Sequence, residues 1–222
     1  VCFVPDPRLE PLSKISKSKK ITHSTIELTD VAGLSKGAGK EKGFSNQFLG
    51  QLRDMEALLL VVRVFESETV PHTEGSVDPV RDLDILMTEL ILADMTLIEN
   101  RLPRVELMKT KDAQNRKQYE KEEASLRRFL AALEQGRPII HVAPTEDEMV
   151  NYVHSYGLLT AREMLVLANV GDLTHIAEKA SLERLRAETT SKGMELVVMN
   201  AQLETEVHEL PEEEWQDYFE AC

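Results

Sequence analysis

Three short runs in the 222-residue chain combine an acid or an amide with small residues, in types and spacings that suit nucleotide chemistry. They are Asp30-Val31-Ala32-Gly33, Asn169-Val170-Gly171-Asp172 and Asn200-Ala201-Gln202. In parallel α/β folds ligands gather just past the carboxyl ends of the strands. An aspartate at such a tip can hold a water of a magnesium ion, while the Gly33 amide faces a terminal phosphate. Asn169 and Asp172 offer an amide and a carboxylate to a purine edge, and Ala201 lays a backbone N–H beside the base. Each run taken alone has a plainer reading. Asp30–Gly33 is also the sequence of a β-turn, and Asn169 and Asp172 serve equally well as helix caps. The three together, each expected at the end of a buried strand, are far more specific than any one.

The elements that would position these residues follow from periodicity. Val1–Val4 reads as a strand stopped by Pro5-Asp6-Pro7, and Leu9, Leu12 and Ile15 give a short amphipathic helix over Arg8–Ile15. Ile21–Thr29 returns as a strand and delivers Asp30. After a loop carrying Gly37, Ala38 and Gly39, Phe44–Met55 reads as a helix, and Ala57–Phe65 is an apolar run expected to be buried on both faces of a parallel sheet. That order is a βαβ unit.

Asp78-Pro79 opens a long helix, with Leu83, Leu86, Leu90, Ala93 and Leu97 as its seam and Pro103 expected to kink or end it. Lys117–Leu133 is a second helix, closed by Gly136 and Pro138, so that the pair forms a hairpin read as a protruding arm. Pro144–Tyr156 is a helix opened by a Thr145/Glu148 capping box. Glu163–Asn169 and Met194–Asn200 are further strands, with helices over Thr174–Thr190, Leu203–Leu210 and from Pro211.

Composition bounds the function. Lys+Arg 26 against Asp+Glu 39 gives a formal charge of −13, which argues against a surface built to grip nucleic acid, so no direct DNA binding is expected. The cluster Lys14, Lys17, Lys19 and Lys20 reads as a solvated loop. Cys2 and Cys222 form no metal spacing and no disulfide framework, as suits a reducing, cytoplasmic setting. No apolar run reaches the ~20 residues of a membrane span, and no membrane partner is expected. His72, His141 and His154 have no ligand partner at metal spacing and read as surface or capping residues. Val1-Cys2-Phe3-Val4 reads as the body of a strand, so the chain is expected to be an internal piece of a longer one.

With these residues in hand, the chain resembles the YchF or Obg-like ATPases, a family of the translation-factor class of GTPase-fold proteins. The resemblance is carried by Val4–Leu9, Asp30–Ala38, Asn46 with Phe48-Leu49, Val61–Glu66, His72 with Gly75–Asp82, Glu89-Leu90, Leu167–Val170 and Ala201 with Leu203-Glu204. It implies a three-layer P-loop NTPase sheet of α/β class with an inserted α-helical coiled-coil hairpin. The divisions would be residues 1–77 for the first part of the G domain, 78–152 for the helical insertion and 153–222 for the second part. It further implies hydrolysis of ATP or GTP with Mg2+ held at Asp30. Nucleotide contacts would come from Asp30, Gly33, Asn169, Val170, Asp172 and Ala201. The ribosome or its large subunit is the implied partner. Family members place an apolar residue where GTPases have a catalytic glutamine; here it is Leu34, which cannot orient a water by hydrogen bonding, and no general base can be named.

The resemblance also implies a Walker A loop before Val1 and a TGS domain after Cys222. Three departures bear on specificity. Asp172 stands where the family has glutamate, a shorter acid that matches guanine-binding proteins and puts ATP preference in doubt. Asn200 stands where serine is common. Lys42, Phe44 and Ser45 replace a glycine-rich texture before Asn46. A second reading is a nucleotide-independent binding module of the translation machinery, inactive for want of its phosphate loop.

Overall fold

The computed structural model describes residues 1–31, 44–67, 69–171, 176–211 and 215. The chain divides into two units, Val1–Ser35 and Lys36–Cys222.

In the first unit β1 (Cys2–Phe3) pairs antiparallel with β2 (Thr25–Ile26), and α1 (Leu9–Ser16) lies between them in the chain. Asp6 organises the turn into α1 by accepting from the Arg8 backbone at 2.9 Å and from its guanidinium at 2.8 and 2.7 Å. Both strands are shorter than the periodicity predicts. Pro5 has no N–H to extend the ladder, so pairing stops after Val4, whose N–H donates to the Ser24 carbonyl at 2.8 Å. None of residues 1–31 is buried, which corrects the expectation of a buried strand leading to Asp30.

The second unit is built on three parallel strands, β3 (Ala57–Arg63), β4 (Glu163–Asn169) and β5 (Glu195–Met199), in the order β3-β4-β5. Arg63 stands opposite Asn169, and Asn169 opposite Met199, so the three carboxyl ends are level. Leu58, Leu60, Val62, Val166 and Ala168 are buried on one face. β3 does not have the two covered faces expected of it, since Leu59 and Val61 are 45% and 56% exposed. Successive side chains point to opposite faces, and the face that carries Leu59 and Val61 is the exposed one.

α2 (Asn46–Arg53) begins at Ser45, whose side chain accepts from the Phe48 N–H at 3.2 Å, so the departure from the family texture at this position supplies a helix cap. α3 (Pro79–Lys111) starts from Asp78, which caps the Arg81 N–H, and pairs with α4 (Arg116–Leu133) as the expected hairpin. Pro103 does not end α3, which runs on for eight further residues to Lys111. Leu102 and Val105 on either side are buried against α4 and the segment that follows it, and that packing offsets the lost hydrogen bond.

The buried seam of α3 is Leu83, Met87, Leu90, Asp94, Ile98, Leu102 and Val105. Leu86, Ala93 and Leu97 are only partly buried. The far half of the seam joins Leu126, Phe129, Ile139, Tyr152 and Leu158 in one core cluster. The Thr145/Glu148 capping box forms as predicted at α5 (Glu146–Glu148), and the helix continues with a π turn over Met149–His154. α6 (Ile176–Ser191) and α7 (Ala201–His208) complete the unit. Gly193 turns the chain from α6 into β5 with φ 65°, a conformation that disfavours a side chain.

Candidate functional site

The ends of β4 and β5 meet at a corner made by Asn169, Val170, Gly171, Asn200 and Ala201. The Asn169 side-chain oxygen accepts from the Ala201 N–H at 3.1 Å, tying the second sequence run to the third. Val170 is buried, its N–H donating to the Met199 carbonyl at 2.9 Å, while the Asn169 carbonyl accepts from Val64 at 2.9 Å. The ladder thus continues one step beyond β3 and β4 and holds the corner on the sheet.

Gly171 sits where nothing larger fits. A Cβ there would lie 2.8 Å from the Phe65 Cβ, so the close approach of two backbones requires glycine. Its N–H donates to Glu178 Oε2 at 3.3 Å and its carbonyl accepts from Asn200 Nδ2 at 3.1 Å. Asn200 Oδ1 also caps α7, accepting from the Leu203 N–H at 3.0 Å. Arg63, at the end of β3, donates to the Phe65 and Val70 carbonyls at 2.8 Å each and stands 4.6 Å from the Phe65 ring centre. Asn200 opens the third sequence run, where the contact expected is the Ala201 N–H, so the bonds of its own side chain are visible only in the structure. Glu178 carries no motif and could not have been found by spacing.

Of the predicted site residues, Asn169, Val170 and Ala201 are brought together. Gly33 and Asp172 lie outside the described residues, as does Leu34. Asp30 belongs to the first unit and is exposed. Its carboxylate is a hard oxygen donor of the type magnesium takes, one or two at a time alongside phosphate oxygens and water. Among the described residues no group of three or more His, Cys, Asp or Glu side chains could hold a metal.

His72 takes the second of the two roles expected of it, capping the loop after β3. Its Nε2 lies 2.9 Å from Asp82 Oδ2, and its Nδ1 accepts from the Glu74 N–H at 3.1 Å. Asp82 Oδ1 in turn accepts from Arg81 at 3.0 and 2.8 Å, so the loop after β3 is stitched to the first turn of α3.

No family model matches the chain. Known proteins and structures do. A ribosome-binding ATPase YchF of Bacillus subtilis is 35% identical over 98% of the chain, and one of Haemophilus influenzae is 33% identical over 95%. The solved structure of the Schizosaccharomyces pombe YchF GTPase superposes with a TM-score of 0.77 at 29% identity, over 99% of the chain. The chain belongs to the YchF family. It spans 59%, 57% and 59% of those three proteins, so what is common to YchF here is the mixed α/β architecture with its parallel sheet and long helical hairpin. No described helix is long and apolar enough to cross a membrane.

Proposed function

We propose that these residues are part of a ribosome-associated nucleoside triphosphatase that hydrolyses the γ-phosphate of ATP, or of GTP, with Mg2+ and without a catalytic glutamine. One observation carries the reading. The Asn169 side chain and the Ala201 N–H are joined at the carboxyl ends of adjacent parallel strands, where nucleotide-binding sheets receive their ligand. Similarity to YchF proteins named as ribosome-binding ATPases supports the substrate and the partner.

In this reading the sheet is that of a three-layer P-loop NTPase. Residues 1–77 and 153–222 form the G domain, and 78–152 form the inserted helical arm. Asn169, Val170, Asp172 and Ala201 face the base, Gly33 faces the terminal phosphate, and Asp30 holds the metal. Magnesium would neutralise charge on the phosphates, and the chain's own groups would orient the base and exclude water behind Val170. The ribosome or its large subunit is the partner, and the cytoplasm the place of work.

The test uses the complete gene product. Magnesium-dependent phosphate release from ATP and GTP is measured beside co-sedimentation with ribosomes. Hydrolysis that Asp30→Ala abolishes supports the reading, and the absence of nucleotide binding at millimolar ATP and GTP overturns it.

A further inference from the structure

Gly171 is held at both its N–H and its carbonyl by side chains from outside β4. Glu178 takes its N–H from α6, and Asn200 takes its carbonyl from the head of α7. Asn200 is committed at both ends, because its oxygen receives the Leu203 N–H while its nitrogen donates to Gly171. Rotating this side chain forfeits two bonds at once. Behind the corner stands Phe65, whose Cβ would lie 2.8 Å from any Cβ placed on Gly171. On the remaining side Asn169 is fixed by the Ala201 N–H. Bonds from α6, from the head of α7 and from β5 therefore hold the corner on the sheet.

Adenine and guanine differ at their edges by an exchange of donors and acceptors. Discrimination between them depends on whether a protein group meets a matching or an opposing partner within hydrogen-bond reach. A corner free to shift can accommodate either edge, whereas a fixed one suits the edge it was built for.

We infer that Glu178 and Asn200 are positioning residues that set purine choice, by fixing where the Asn169–Gly171 backbone stands against the base. The inference rests on the nucleotide reading above. Neither residue is expected to touch the phosphates.

The experiment compares the complete gene product with Glu178→Ala, Glu178→Gln, Asn200→Ala and Asn200→Ser. The dissociation constants of fluorescent ATP and GTP analogues are measured, together with competition by magnesium tripolyphosphate, which has no base. The two alanine variants should change the ATP-to-GTP ratio by about fivefold or more and leave tripolyphosphate competition within about twofold. Glu178→Gln retains an acceptor oxygen and should keep the wild-type ratio. Asn200→Ser keeps a hydroxyl for the Leu203 N–H while surrendering the Gly171 carbonyl, so it preserves the α7 cap and should shift the ratio as Asn200→Ala does. An unchanged ratio in both alanine variants overturns the inference. So does an equal weakening of ATP, GTP and tripolyphosphate, which marks a general structural role. Wild-type protein that binds neither nucleotide removes the underlying reading itself, an outcome distinct from the other two.

Discussion

Thr160 donates twice to Asp94, through its N–H at 2.8 Å and its hydroxyl at 2.7 Å, both to Oδ2. The other carboxylate oxygen takes the Leu159 N–H at 2.9 Å, and the Thr160 hydroxyl also receives the Ile139 N–H at 3.3 Å. Asp94 is fully buried. A carboxylate on α3 thus holds the 3₁₀ turn Leu159–Ala161 that leads directly into β4.

Burial pushes the Asp94 carboxyl above its ordinary range, against the pull of the Leu159 and Thr160 donors and of the Arg53 charge. Removing the side chain strands three donors in the core. Asp94→Ala should cost about 3–5 kcal/mol and Asp94→Asn about 1–2, because the amide still accepts on one side. Urea-unfolding midpoints check both, and an alanine variant within 1 kcal/mol of wild type would contradict this account.

Glu148 gives the fold an acid limb. Burial works to raise its pKa, but donors from Ser125, the Thr145 N–H and Arg128 outweigh that and hold it at about 2, below the ordinary 4.5. The unfolded chain therefore takes up this proton first as pH falls. The contribution of Glu148 is complete above pH 4.5 and is lost on descending through about 2. Glu148→Gln should flatten this part of a stability-against-pH curve, measured by thermal unfolding between those limits.

Pro103 denies α3 one internal hydrogen bond and is itself exposed. Pro103→Ala should restore the bond and stabilise the hairpin by about 1–3 kcal/mol, read as a higher melting temperature. A lower melting temperature would mean that the proline sets a bend on which the packing of Leu102 and Val105 depends.

Base preference offers a test of Asp172. If its carboxylate reads the purine, Asp172→Glu in the complete gene product should move the ATP-to-GTP affinity ratio toward ATP by about tenfold, the scale of one polar contact at a base edge. A constant ratio would remove that residue from the base site.

Much of the second unit was legible in the sequence. Strands β4 and β5 declare themselves by apolar runs, and the caps at Asp78 and at Thr145/Glu148 by local chemistry that distant contacts do not alter. The site was half legible. Asn169 and Ala201 stand at strand ends, where topology alone brings them together, whereas Glu178 reaches Gly171 from a helix face that looks like any other charged face. Asp94 was invisible for a related reason. An acid is not expected among apolar seam positions, and only the donors of Leu159 and Thr160, 65 and 66 positions away, satisfy it in the core. The one-sided burial of β3 escaped too, because leucine and valine on both faces look alike whether or not something covers them.

Asp94 anchors α3 close to its midpoint. At 1.5 Å per residue, Lys111 lies about 26 Å beyond that anchor and Pro79 about 23 Å before it. The root is fastened separately, where Asp82 is bound to His72 and Lys192 lies 3.1 Å from Asp84. Spin labels at the root of α3 and on the turn before β4 should therefore keep a narrow spread of distances in wild-type protein and a broader one in Asp94→Ala.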